Sequence, residues 1–342
     1  MNDLMFYIKT TETCNLHCDH CYTSGKNGRK IFFDPIKTAD WVNQFSQHAS
    51  FAHFEFHGGE PFLAPLGDMF EFYDRVRGVW KNHSFGCTSN LVLKLTEERL
   101  DFIDQVLGWR IGTSWDPNIR FANPGQKELW ESNVRMLKDL GVTIKVFVSL
   151  SVDVVQMEPI NILKYFKDLG VDELAFERLT SDGNAVKNRA IFPSNLDLQH
   201  WYLKLHEQTT EHGARDWISN DFLESIYSKF EEGKNNEATF CRDCEQKLFT
   251  INADGTVAGC PNTAPKDFYT TIESTFEEVQ INTKRCTVIA KETARDPRCF
   301  ECDVFKYCNG DCHQLDWEDD ICAAPKLLMR ELRNDSWFRQ HN

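Results

Sequence analysis

The sequence predicts an α/β protein: a partial (βα)6 TIM-like barrel followed by a small cysteine-rich domain with a β-hairpin. Three observations carry this. Strand-like apolar runs alternate with helical ones through the first half of the chain. Short polar motifs carrying glycine or cysteine follow the strands. The texture then changes near residue 240, where cysteine pairs begin.

Leu4–Ile8 reads as the first strand, and residues 36–49 have helical spacing. FAHFEF (51–56) alternates and is rich in aromatic residues, as a strand does. An amphipathic helix is expected over 66–80 and a short strand within 83–90. Thr96 is placed to cap a helix running on from Glu97 and Glu98, whose acids suit its first turn. Arg99 stands where a full capping box needs Glu or Gln. Strands are expected at 109–115, 142–152 and 172–179. Helices are expected at 124–141 and 159–170, stopped by Gly141 and Gly170. Repeated βα units with buried, β-branched strands argue for a parallel sheet. Six units are too few to close an eight-stranded barrel, so the sheet stays open. Chemistry in such sheets gathers at the C-terminal strand ends. A cysteine loop follows the first strand, HGGEP the second, TSN the third and SWD the fourth. All four motifs therefore share one rim. KLFTINADGTVAGC reads as a hairpin turning at Asp254-Gly255. The expected units are the barrel core at 1–194, a helical bridge at 195–234 and the cysteine-rich domain at 235–342.

The chain has 342 residues and a net charge of −14. That balance disfavours nucleic acid as a partner, because phosphate binding needs a cationic surface. There is no apolar run long enough to span a membrane and no signal-peptide pattern, so a cytoplasmic protein is expected. Disulfides do not persist in that compartment, yet the chain carries 13 cysteines. Most of them cluster, which points to metal or cluster ligands. Cys87 and Cys286 stand apart and are expected to be small buried hydrophobes.

CNLHCDHC (14–21) spaces three cysteines as C-x3-C-x2-C. Three thiolates can hold three irons of a [4Fe–4S] cluster and leave the fourth iron open. Catalytic zinc sites keep a position for substrate in the same way. In HGGEP (57–61) two glycines let the backbone approach a ligand, and Glu60 offers a carboxylate to an amino group. A plain βα turn with a solvated glutamate accounts for the same residues. Taken in order over residues 4–180, these motifs resemble the radical S-adenosylmethionine (SAM) superfamily. The resemblance implies a [4Fe–4S] cluster on Cys14, Cys18 and Cys21, with the amino and carboxyl groups of SAM on the open iron. It also implies that Gly58, Gly59 and Glu60 lie beside the methionyl amino group. His20 stands where the family usually has an aromatic residue beside the adenine. Ser89, Asn90, Ser114 and Asp116 fall where relatives bind the methionine carboxylate and ribose. Ser149 and Arg178 face the same rim if the register holds. Turn capping by Ser, Asn and Asp, and a surface ion pair for Arg178, are the plainer readings.

The C-terminal cysteines 241, 244, 260, 299, 302, 308, 312 and 322 are enough for two four-ligand sites. By spacing alone, zinc and iron–sulfur stand equal. The pattern resembles the SPASM domain carried by radical SAM enzymes that modify peptides. That implies two auxiliary [4Fe–4S] clusters, three clusters in all. One would use Cys241, Cys244, Cys260 and Cys312, the other Cys299, Cys302, Cys308 and Cys322. Pro261 stands where sulfatase-maturing relatives have an acid that serves as a base, which disfavours sulfatase maturation. Asp311 reads as a turn residue, and no catalytic base is evident. The resemblance implies an enzyme that uses a 5′-deoxyadenosyl radical to oxidatively modify a peptide or protein side chain, by crosslinking or dehydrogenation. The implied partners are a small precursor peptide and an electron donor such as flavodoxin or ferredoxin. The chain starts at the first barrel strand, without the leader-binding domain of several such maturases, so leader recognition is expected either to be absent or to come from another protein. A SPASM-type enzyme acting on a small molecule is one alternative. A zinc-stabilised, non-enzymatic binding protein is the other.

Overall fold

Strands β1 (Leu4–Thr11), β2 (Ala52–Gly58) and β3 (His83–Cys87) pair in parallel and in chain order. So do β4 (Arg110–Ser114), β5 (Thr143–Leu150) and β6 (Glu173–Arg178). A parallel bridge between Thr88 and Gly112 joins the two sets, giving six strands in sequence order. The structure, a computed structural model, describes residues 3–22, 28–230 and 243–334. Connecting the strands are helices α1 (Pro35–Asn43), α2 (Leu66–Arg77), α3 (Glu97–Gln105), α4 (Pro124–Asp139), α5 (Val152–Val155) and α6 (Pro159–Leu169).

Local chemistry sets the helix ends. The Asp34 carboxylate accepts from the Ile36 and Lys37 amides at the start of α1. That helix is shorter than its periodicity implies and passes into a 3-10 turn at Gln44–Gln47. Asn123 caps α4 through the Gln126 amide. Gly170 ends α6 in the left-handed conformation, at φ 78°, where glycine carries no Cβ penalty. Thr96 does precede α3, but it makes no side-chain cap.

Beyond β6, helices α7 (Asn195–Glu211) and α8 (Asp221–Tyr227) flank the two-residue strand β7 (Ser219–Asn220), which extends the β6 edge. The chain then returns to the opposite edge. Strand β8 (Leu248–Ile251) pairs in parallel with β1, and β9 (Thr256–Ala258) and β10 (Thr270–Thr271) follow antiparallel. The hairpin turns where expected. Gly255 has φ 81°, and the Asp254 carboxylate accepts from the Thr256 amide. The cysteine-rich segment is thus hydrogen-bonded into the barrel sheet. One aromatic layer seals the join. Phe6 stacks between Phe54 at 5.3 Å and Phe249 at 5.5 Å, with Trp41 and Phe45 packed across them. All five rings are buried, and each contributes about 1.5–3 kcal/mol by leaving water.

The other face of the sheet is polar. Tyr7, His53, Glu55, His57, Lys145, Glu173 and Glu177 line a cavity of about 770 Å³ inside the open barrel. The strands therefore alternate, with core on one side and lumen on the other, as the pattern of 51–56 implied for β2.

Candidate active site

Cys14, Cys18 and Cys21 leave the end of β1 and line one wall of the cavity. The Cys14 sulfur accepts from the Leu16 amide at 3.3 Å and from Asn90 Nδ2 at 3.6 Å. Burial pushes the Cys14 thiol up to about 11 and the Cys18 thiol up to about 12. Binding a metal group here would release those protons. Among the described residues, no three His, Cys, Asp or Glu side chains converge on a single-ion site. What recommends an iron–sulfur cluster is the donor chemistry: three soft sulfurs at a cavity wall, one already held by N–H donors.

The glycines of HGGEP are needed for a contact within the chain. A Cβ on Gly58, whose φ is 139°, would lie 2.4 Å from the Thr11 carbonyl oxygen. One on Gly59 would lie 2.1 Å from that of Thr13. The Gly59 and Glu60 amides donate to those same two carbonyls, at 2.8 Å each. This lock holds the Gly58-Gly59 backbone on the cavity wall beside the cysteine loop. Glu60 is fully buried behind it. Its carboxylate accepts from the Phe62 amide at 3.1 Å, the Ser89 hydroxyl at 2.8 Å and the Asn90 amide at 2.7 Å. Burial raises its proton affinity, and these three donors oppose the rise. Glu60 thereby ties the HGGEP loop to the turn after β3, and Asn90 ties that turn to Cys14.

Ser89, Asn90, Ser114, Ser149, Arg178 and His20 all line the cavity. Asp116 is fully buried. One of its oxygens accepts from the Ser149 amide at 2.7 Å and the other from Arg120 Nε at 2.6 Å, with His20 Nε2 at 3.4 Å. Burial works against its charge, but Arg120 and His20 outweigh it and hold the carboxyl well below the usual range. Sequence reasoning missed Arg120, although an acid and a base four residues apart are a visible signal. It also missed Tyr22 and His57, whose side chains meet at 2.9 Å on the cavity wall.

Arg178 does pair with an acid, but a buried one. Its guanidinium bonds Asp311, and both side chains are nearly inaccessible. Asp311 sits in a turn, at φ 54°, and links β6 to the segment carrying Cys312. On that side Cys244, Cys260 and Cys312 line the same cavity; Cys241 lies outside the described residues. Glu245 gathers the three. Its carboxylate accepts from the Cys260 amide at 3.2 Å and lies 3.5 Å from His313, and its own amide donates to Glu292. Burial pushes the Glu245 carboxyl up to about 7. Cys299, Cys302, Cys308 and Cys322 form a second group off the cavity wall. The Cys302 amide donates to the Cys299 carbonyl, and Cys322 lies within electrostatic reach of both Cys302 and Cys308.

The two isolated cysteines differ. Cys87 is buried as expected. The expectation for Cys286 is wrong: it is exposed. Helix 283–293 buries Arg285, Val288 and Glu292 on one face, and Cys286 falls off that face.

No protein-family model and no curated protein matches the chain. Solved structures do. anSMEcpe, an anaerobic sulfatase-maturating enzyme of the radical SAM/SPASM type, matches in its form with bound AdoMet. The match has TM-score 0.76 and 18% identity, over 99% of this chain and 96% of that one. Its complex with AdoMet and the Kp18Cys peptide gives TM-score 0.77 at 19% identity, over 99% and 97%. SuiB of Streptococcus suis bound to its precursor peptide SuiA gives TM-score 0.64 at 12% identity, over 93% and 76%. At these identities the likeness establishes the fold: the chain has the TIM-like core and the appended segment of radical SAM/SPASM structures. No helix among the described residues is long and apolar enough to cross a membrane.

Proposed function

We propose that this chain is a radical SAM enzyme that oxidatively modifies a peptide or protein side chain. One observation carries the reading: Cys14, Cys18 and Cys21 share a single cavity with Cys244, Cys260 and Cys312. The first three thiols would hold a [4Fe–4S] cluster that binds SAM. The C-terminal cysteines would hold two auxiliary clusters in the sets implied by the SPASM resemblance, and a flavodoxin or ferredoxin would supply electrons. When bound, the reduced cluster and SAM supply a 5′-deoxyadenosyl radical that can take a hydrogen atom from an unreactive C–H bond.

The chain's own residues do the rest. The Gly58-Gly59 backbone, locked against Thr11 and Thr13, would turn its cavity edge to the methionyl amino group. Glu60 acts from behind, fixing that edge against Ser89 and Asn90. The Asp116–Arg120 pair, with His20 beside it, makes a rigid polar wall for ribose and adenine. A peptide substrate fits the likeness to structures solved with peptides.

The test is anaerobic reconstitution. About 12 irons per chain and reductant-dependent release of 5′-deoxyadenosine are expected. Co-expression with candidate peptides, read by mass spectrometry, should give a product lighter by hydrogen. Zinc in place of iron, with no SAM cleavage, would sink the proposal.

A further inference from the structure

The cavity wall carries four carboxylates, and three of them are committed. Glu55 accepts from the Thr88 hydroxyl at 2.6 Å and faces His53 Nε2 at 3.0 Å. Glu173 pairs with Arg110 at 2.6 Å, and Asp221 pairs with Lys145. Glu177 has no hydrogen bond or ion pair among the described residues, and its side chain stays open to the cavity. The cations near enough to stabilise its charge are Lys145, Arg178 and Arg120. Each is already matched, to Asp221, Asp311 and Asp116 respectively. One negative charge is left over, on a side chain that is exposed to the cavity. Its proton affinity is raised, first by the desolvating protein around it and then by Asp116.

Its position narrows what could compensate it. Glu177 sits on β6, on the same rung as Ser149 of β5. That is four strands along the sheet from the Gly58-Gly59 edge, where the amino group of SAM is assigned. Tyr7 and Tyr22 both lie within electrostatic reach of Glu177 and of Cys260. The carboxylate therefore faces the space between the two cysteine walls, where a substrate would lie. We propose that Glu177 is a specificity-determining residue that receives a cationic side chain, lysine or arginine, of the peptide substrate. This rests on the peptide-modifying reading above and adds the chemistry by which a peptide would be chosen.

The test uses the reconstituted holoenzyme with SAM bound, at low salt. The probes are acetyl-Gly-Lys-Gly-amide and its norleucine counterpart, titrated by calorimetry. The lysine peptide should bind about tenfold tighter, as a charge-assisted contact at low salt allows. Glu177→Gln should erase the preference and Glu177→Asp should keep part of it, with iron content and melting temperature confirming that both variants fold. Absence of lysine binding, equal binding of the two peptides, or a preference that survives in Glu177→Gln overturns the proposal. A tenfold loss of SAM affinity in Glu177→Gln overturns it as well, by assigning the carboxylate to the cofactor. SAM cleavage by the unchanged protein is scored separately. If cleavage is present without a lysine preference, only this inference fails. If cleavage is absent, the reading beneath it fails.

Discussion

The two cysteine regions are built on different scales. Cys14, Cys18 and Cys21 hang from the end of one strand, within eight consecutive residues. Their supports, Gly59 and Asn90, follow the next two strands. The C-terminal cysteines come from separate pieces: the approach to β8, the end of the hairpin, the turns around 299–312, and the strand-like entry to helix 326–334. Glu245, Glu292 and the Arg178–Asp311 pair help to bring those pieces together. On the proposed function, the first region should lose a ligand and keep its fold, whereas in the second, ligand binding and folding should be coupled.

The largest expected effect separates the two. Cys14→Ala should abolish SAM cleavage while about eight irons stay bound and the melting temperature hardly moves. Cys308→Ala should lower both iron content and melting temperature. Iron analysis and thermal melts on the same preparations check this. Equal thermal losses in the two variants would show that the regions are not built differently.

Next is the join itself. Arg178→Met leaves Asp311 buried and unpaired, and should cost about 3–5 kcal/mol in urea unfolding. The double variant Arg178→Met/Asp311→Leu should recover most of that, because replacing both charges removes the orphan. No recovery would mean that the pair holds something besides itself.

A smaller effect is expected in the first region. Gly59→Ala places a Cβ against the Thr13 carbonyl. It should cost about 1–3 kcal/mol as the loop is pushed away. SAM affinity, measured by calorimetry, should fall with it. Unchanged affinity would separate the lock from the cofactor site.

This contrast also explains what the sequence made legible. The βα order, the rim motifs and the Asp254-Gly255 hairpin are local patterns, and periodicity and turn chemistry report them directly. Glu60 was legible as a special residue but not as an internal brace, because its partners Ser89 and Asn90 lie 29 and 30 positions away. The parallel pairing of β8 with β1 spans more than 240 residues of sequence, and no local signal announces it. Glu177 was missed for a related reason. Alternation shows that it faces away from Phe176 and Arg178, but only the ion pairs around it show that no described residue pairs with it.

The smallest effect concerns His57, which braces the first region. Its Nδ1 accepts from the Gly58 amide at 2.8 Å and lies 2.9 Å from the Tyr22 hydroxyl. Burial pushes the imidazole down from 6.5 to about 4, with Glu55 opposing. Between those two values the unfolded chain takes up a proton that the folded chain refuses. Stability therefore rises with pH through this window. The contribution is complete above about pH 6.5 and shrinks as pH falls towards 4. Because the ring borders the cavity and feels its solvent, the expected loss between pH 7 and pH 5 is roughly 1 kcal/mol. Urea unfolding of the native protein and of His57→Gln across that range reads the difference. The variant should show the shallower slope, and its SAM affinity should lose its acid sensitivity. Parallel slopes would mean that the imidazole is already solvated, and that the brace on Gly58 comes from the backbone lock alone.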